Sequence, residues 1–308
     1  MVYVMFTVEN ITRYFGRFKA LDNVSFKVDN GEIVGYVGLN GAGKTTTIRI
    51  CVGVLRPSSG DVVVDGYSIT RQKREASFHI GWVPELPIFE LDEKAIDYFV
   101  YLAGYYGLSR SEARRLGKEL FEQVGLSRFM ERRLKHYSLG MKKRFALAVS
   151  MINDPRNFFF DEVLNGLDPK GIAFFRDLVK RFKREGRAVL FSSHILSEVE
   201  NIADKVVFIH KGRIIAVKTM DEIKSMVKPA LVVKVSNPDD KLPKILEKYG
   251  EVRARDGKYI LVFKEKPDKN QIVKELVENG YSVEEIRPAR TSLEKVFFKL
   301  IGEAGEER

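Results

Sequence analysis

The sequence predicts an α/β chain followed by a small α+β module, and three stretches carry that expectation. Gly38-Leu39-Asn40-Gly41-Ala42-Gly43-Lys44-Thr45 joins an apolar, strand-like run (Ile33 to Val37) to a helix-like one (Thr45 to Val54). Roughly 115 residues further on, Asn157-Phe158-Phe159-Phe160 forms a second apolar strand that ends in Asp161-Glu162. Around Lys228-Pro229 the pattern resets into a βαββαβ order with a trailing helix, the split βαβ or ferredoxin-like arrangement.

The remaining elements fall between these landmarks. Tyr3 to Val8 and Val24 to Val28 alternate as strands, broken by Gly16 and the Asn30-Gly31 turn, with Thr12-Arg13-Tyr14-Phe15-Gly16 placing two aromatics beside a glycine. Asp61 to Val64 with Asp65-Gly66 reads as a strand and hairpin turn, and Ile80 to Pro84 as a strand that ends at Glu85. Helices are expected from Glu93 to Tyr106 and from Ser109 to Val124, the latter opened by the capping-box pair Ser109 and Glu112. After Ser138-Leu139-Gly140-Met141, Phe145, Ala148, Val149 and Ile152 recur at helical spacing. Asn165-Gly166-Leu167-Asp168-Pro169 is a turn, Gly171 to Glu185 an amphipathic helix, and Ala188 to Ser192 a buried strand that delivers Ser193-His194. Val206 to Ile209, Lys211-Gly212-Arg213 and Ile214 to Val217 make a hairpin.

In the last segment the expected order is Leu231 to Ser236 (strand), Asp239 to Tyr249 (helix), and Val252 to Arg255 and Tyr259 to Phe263 (strands about Asp256-Gly257). Asp268 to Asn279 (helix), Ser282 to Ile286 (strand) and Ser292 to Ile301 (helix) complete it. It contains no constellation of acids, histidine and nucleophiles, which marks it as a regulatory or assembly module. The expected domains are therefore 1–227 and 229–308.

Bulk composition narrows the class. A chain of 308 residues with 44% hydrophobic residues suits two globular domains. No uncharged apolar run approaches the roughly 20 residues of a bilayer-spanning helix, and Met1 to Glu9 lacks the pattern of a signal peptide. A cytoplasmic location is expected. The one cysteine, Cys51, excludes an internal disulfide and a cysteine-based metal site. Of the formal net charge of +10, Tyr101 to Arg156 hold most, with 12 basic against 5 acidic residues. Two readings fit that excess: an acidic partner, anionic lipid or nucleic acid facing the segment, or solvated helix faces in a Lys/Glu-rich protein from a hot habitat.

The chemistry of the first landmark follows from its residue types. Glycines let consecutive backbone N–H groups curl round phosphate oxygens, and the helix start adds the positive end of its dipole. Lys44 would reach the β- and γ-phosphates and the Thr45 hydroxyl would ligate Mg²⁺. Asp161 and Glu162 stand at the carboxyl end of a strand, where open α/β sheets place their sites, and so does His194.

With these motifs in this order, the first 220 or so residues resemble the nucleotide-binding subunit of ABC transporters, nearest to the ATPase subunits of ABC-2 type exporters. The resemblance implies a P-loop NTPase core with an antiparallel β subdomain and a helical subdomain at about 86–156. Gly38 to Thr45 match the Walker A motif, Phe158 to Asp161 Walker B, and Glu162 the catalytic glutamate. Tyr137 to Met141 stand in place of the LSGGQ signature, Leu167-Asp168 match the D-loop and His194 the switch histidine. Phe15 takes the place of the adenine-stacking aromatic, with Tyr14 as second choice.

The implied ATP site comprises Phe15, Gly38, Asn40, Gly41, Ala42, Gly43, Lys44, Thr45, Thr46 and Asp168, with Ser138 and Gly140 gripping the γ-phosphate of ATP on an opposing subunit. Mg²⁺ would be held by Thr45, Asp161 and Glu85, while Glu162, His194 and Lys44 carry hydrolysis. An ATP-bridged homodimer and a separate membrane permease are the implied partners, with an anionic lipid surface also facing the basic segment. Members that act on nucleic acid or ribosomes carry long coiled-coil arms or paired cassettes, which are missing here. Four positions depart from the family: Glu85 for Gln, Leu139 for the first signature glycine, Met141 for the signature Gln, and Val163 for Pro.

Overall fold

The computed structural model describes residues 4–226, 230–255, 257–263, 267–288 and 293–306. Lys228-Pro229, Tyr3, Asp256 and Ser292, on which some of the expectations above fall, lie outside the described residues. The chain divides into two compact units, one of residues up to 220 together with those from Phe297 on, the other spanning Asp221–Val296.

The first unit is built on two sheets. A six-stranded sheet runs in the order Arg213–Thr219, Lys205–His210, Ile33–Val37, Ala188–Ser192, Asn157–Phe160, Ile80–Val83. All neighbours are parallel except the first pair, the hairpin closed by Lys211 and Gly212 in the left-handed region. Ile33–Val37, Asn157–Phe160 and Ala188–Ser192 are buried along their whole length, which explains why they read as unbroken apolar runs rather than alternating ones. Ile33–Val37 lies between two strands that come late in the sequence, so its carboxyl end sits where the strand order switches.

A four-stranded antiparallel sheet, in the order Phe18–Asp29, Val4–Phe15, Ser59–Val64, Tyr67–Ser68, contributes Phe6, Val8, Val62 and Val64 to a core shared with Tyr36 and Phe159. Three helices, Ala95–Gly104, Arg110–Gln123 and Leu139–Ser150, pack around Phe99, Phe121 and Phe145. Ser109 caps the second with the full reciprocal capping box. Phe297 stacks on Phe208 with ring centroids 6.0 Å apart.

The second unit has an antiparallel sheet in the order Glu251–Arg255, Lys258–Val262, Ala230–Val235, Val283–Pro288, with helices Leu242–Glu247 and Lys269–Glu278. Numbered along the unit, the strand order is second, third, first, fourth, the split βαβ arrangement. Leu231, Val233, Leu261, Ile272 and Leu276 form its core.

Boundaries moved where tertiary contacts or caps decide them. The helix after the phosphate loop spans Lys44–Cys51, three residues short of Val54, because the chain turns at Gly53 with φ 71°. The helix expected from Gly171 starts at Pro169, since Asp168 caps it and proline suits the first turn. The helix expected from Asp239 begins at Leu242, because the Asp239 carboxylate instead accepts from the Lys241 and Leu242 amides ahead of it. Three short helices, Lys73–Phe78, Leu196–Ile202 and Met220–Ser225, were not expected; at six or seven residues they give too few turns for a period to register.

Candidate nucleotide site

The phosphate loop leaves the carboxyl end of Ile33–Val37 and closes into the helix Lys44–Cys51. Two of its glycines are required by space. A Cβ on Gly38 would come 2.5 Å from the Ile209 carbonyl oxygen, and one on Gly43, whose φ is 111°, 2.6 Å from Leu21. Lys44, buried, folds back over the loop: its ammonium donates to the carbonyls of Gly38 (2.8 Å) and Leu39 (3.3 Å) and pairs with Glu162 Oε1 at 3.3 Å. Ala42 is buried, and its carbonyl accepts from the Gly212 amide at 2.9 Å, tying the loop to the hairpin beside it.

Asn157–Phe160 and Ala188–Ser192 bring the acidic pair and His194 to the same edge. Thr45 Oγ1 donates to Asp161 Oδ1 at 3.1 Å, and Ser192 Oγ donates to the same oxygen at 2.8 Å. Ser192 Oγ also accepts from the Glu162 amide at 2.9 Å, so one hydroxyl holds both acids in register. Burial pushes the Asp161 carboxyl up, the neighbouring charges of Glu85 and Glu162 add to that, and the hydrogen bonds from Ser192 and Thr45 oppose it. Glu162 has φ 46°, a region side-chain residues rarely adopt, and its carboxylate is gathered by Lys44, by His194 Nδ1 at 2.9 Å and by Asn165 Nδ2 at 3.3 Å.

These groups open on a cleft of about 460 Å³ lined by Phe15, Phe18, Ala20, Asn40, Gly41, Gly43, Lys44, Thr45, Thr46, Glu85, Glu162, Asn165 and His194. That volume suits a small ligand. At its open end, Phe15 and Phe18 face each other in register at the tip of the hairpin. The Arg13 guanidinium covers one face of the Phe15 ring, 4.7 Å from its centroid. Tyr14 has Lys19 over its ring and does not line the cleft.

Of the residues expected from sequence, Gly38, Ala42, Asp161, Ser138, Gly140 and Asp168 do not line the cleft. Ser138 caps the helix Leu139–Ser150 through Met141 N at 3.2 Å, and Asp168 caps Pro169–Arg184 through Gly171 N at 2.7 Å. Leu139, in the place of a signature glycine, is the first residue of its helix and needs no unusual backbone angle.

Sequence reasoning missed Ser192, Phe18 and Asn165. Ser192 read as the end of an apolar strand and Asn165 as part of a turn, while Phe18 falls between the two expected strands and drew no reading. It also counted Lys143 among the outward basic residues, whereas this side chain is buried, with its ammonium on the carbonyls of Glu162, Val163 and Asn165.

Thr45 and Asp161 offer two hard oxygen atoms 3.1 Å apart beside the loop, a donor set that fits Mg²⁺ completed by water and phosphate oxygens. The loop amides, the lysine and the helix start fit a polyphosphate.

Comparison with known proteins agrees with this geometry. Residues 21–165 match the family model described as ABC transporter. An uncharacterized ABC transporter ATP-binding protein of Bacillus subtilis, YhcH, is 34% identical over 97% of both chains. The bacitracin transport ATP-binding protein BcrA of Bacillus licheniformis is 33% identical over 95% of this chain and 96% of its own. A solved ATP-binding subunit of an ABC transporter superposes with a TM-score of 0.66 at 30% identity, covering 72% of this chain and 92% of that one. With relatives this similar along nearly its whole length, and with the phosphate loop, the acidic pair and the histidine meeting at one sheet edge, the chain belongs to the ATP-binding proteins of ABC transporters.

Proposed function

We propose that this chain powers a separate membrane permease for export, with hydrolysis carried by Glu162 in the cleft beside the phosphate loop. As a member of its family the chain binds ATP with Mg²⁺ and hydrolyses it, and works with a permease partner and as a dimer. The observation that supports the assignment of hydrolysis is the Glu162 carboxylate, buried at the loop and gathered by Lys44, His194 and Asn165.

The site residues then divide the work. Phe15 stacks on the adenine, joined by Phe18, and Arg13 behind the Phe15 ring leaves one face for the base. The glycine-rich loop from Gly38 and Lys44 hold the phosphates, with Asn40, Gly41 and Thr46 along the same wall. Thr45, Asp161 and Glu85 would hold Mg²⁺, which when bound supplies charge neutralisation at the phosphates. Glu162 orients a water and takes its proton, while Lys44 and His194 neutralise charge on the γ-phosphate oxygens. Ser138, Gly140 and Asp168 serve the ATP of a second copy in a head-to-tail homodimer, which accounts for their not lining the chain's own cleft.

On this reading residues 1–227 are the ATPase domain, 229–308 are an accessory module, and the chain lies on the cytoplasmic face of a membrane. The exposed Arg132 and Arg133 give the basic segment a surface for acidic loops of the permease or anionic headgroups. The test is recovery of partners when the tagged chain is purified from detergent-solubilised membranes. One polytopic protein at near-equal stoichiometry is expected, with lower recovery on Arg132→Glu with Arg133→Glu. Recovery of ribosomal or DNA-bound proteins alone would overturn the reading.

A further inference from the structure

Lys143 sits in the basic run Lys142-Lys143-Arg144, yet its side chain turns inward and is 1% exposed. Its ammonium donates to the carbonyl oxygens of Glu162 (3.1 Å), Val163 (3.0 Å) and Asn165 (2.5 Å). An ammonium has three donors, and here all three are spent on one turn of the backbone. A cation removed from water persists only where such partners replace its hydration. Burial pushes the Lys143 ammonium toward losing its proton, and the negative charges of Glu85 and Glu162 act against that.

The turn it grips begins at Glu162, the residue held at φ 46°. Three hydrogen bonds fix the Glu162 backbone from opposite ends: its N–H donates to Ser192 Oγ at 2.9 Å, and its C=O accepts from Lys143 and, at 3.1 Å, from the Asn165 N–H within the turn. With both ends held, the left-handed conformation cannot relax, and the side chain is aimed at Lys44 and His194 rather than away from them. The grip comes from the helix Leu139–Ser150, which starts at Ser138. The same helix touches the turn again through Leu139, whose side chain packs over Gly166, 2.5 Å from where a Cβ would lie.

We propose that Lys143 is a positioning residue for ATP hydrolysis: it locks the Glu162 turn from the helix that Ser138 opens, and so sets the aim of the Glu162 carboxylate. The inference rests on the reading of Glu162 as the hydrolytic base. It implies a separation of effects, because the phosphate loop's own contacts, Lys44 with Gly38 and Leu39, do not involve Lys143. Loss of the lock should lower kcat and leave nucleotide affinity in place.

The experiment compares full-length wild type, Lys143→Met, Lys143→Gln and Glu162→Gln for thermal unfolding, MgADP binding and steady-state ATP hydrolysis. Lys143→Met keeps length and apolar stem but removes every donor, whereas Gln can restore part of the grip. The expected result is a folded Met variant whose KM and MgADP affinity stay within about threefold, whose kcat falls at least about tenfold, and a Gln variant in between. A folded Met variant with kcat within about twofold of wild type, or with raised KM and unchanged kcat, would overturn the inference. If Met does not fold, the Gln variant is judged by the same split. Failure of both to fold would make Lys143 a residue of stability alone and overturn it too. The control separates the two readings: a Glu162→Gln variant as fast as wild type removes the assignment of Glu162, and this inference with it. Loss of rate in Glu162→Gln without loss in Lys143→Met removes only the inference.

Discussion

Asp161 bears an electrostatic cost of its burial beside other acids. The carboxylate is 2% exposed, and burial together with Glu85 and Glu162 raises its pKa despite the bonds from Ser192 and Thr45. A carboxyl with a raised folded pKa binds its proton more tightly folded than unfolded, so its contribution to stability falls as pH rises from the ordinary aspartate range through the raised value. Asp161→Asn should therefore unfold at a higher temperature than wild type at neutral pH without nucleotide, and that advantage should shrink as pH is lowered toward about 4. Thermal unfolding at several pH values measures it, and a variant less stable than wild type at pH 7 would contradict the account. At this scale the sequence was legible wherever spacing along one chain segment carries the chemistry, as from Gly38 to Thr45 and at Asp161-Glu162. It was not legible for Ser192 or Lys143, whose roles arise only when segments some 20 to 30 residues apart meet.

Elements here are packed against aromatic rings that leave no slack. The strand Ile80–Val83 lies beside Asn157–Phe160, and a Cβ on Gly81 would stand 2.6 Å from the Phe158 ring and 2.6 Å from the Ser150 carbonyl oxygen. Phe158 cannot yield, because it is stacked on Phe182 with centroids 4.1 Å apart. Gly81→Ala should cost roughly 1–3 kcal/mol as overpacking, read as a lower midpoint in urea unfolding, and an unchanged midpoint would contradict the packing. The buried parallel strands were evident in the sequence because both faces are covered, giving runs such as Phe158-Phe159-Phe160. The Ser109 cap was evident because Glu112 completes a capping-box pair that the sequence spells out. The Asp168 cap was not, because Pro169-Lys170 looks like part of a turn until the helix is seen to begin there.

At the scale of the whole molecule, among the described residues no helix is long and apolar enough to cross a membrane. The apolar residues serve a core in each unit, and the cleft opens at the carboxyl edge of the six-stranded sheet in the first. The residues expected to complete an ATP site, Ser138, Gly140 and Asp168, do not line that cleft, which is why a second copy enters the account. A Glu162→Gln variant that stays monomeric by light scattering with MgATP would contradict the homodimer. Whether this cleft hydrolyses ATP through Glu162 is decided by phosphate release. Wild type should turn over MgATP, while Glu162→Gln should bind the nucleotide with similar affinity and release phosphate at least about 100-fold more slowly. Equal rates for the two proteins would contradict it.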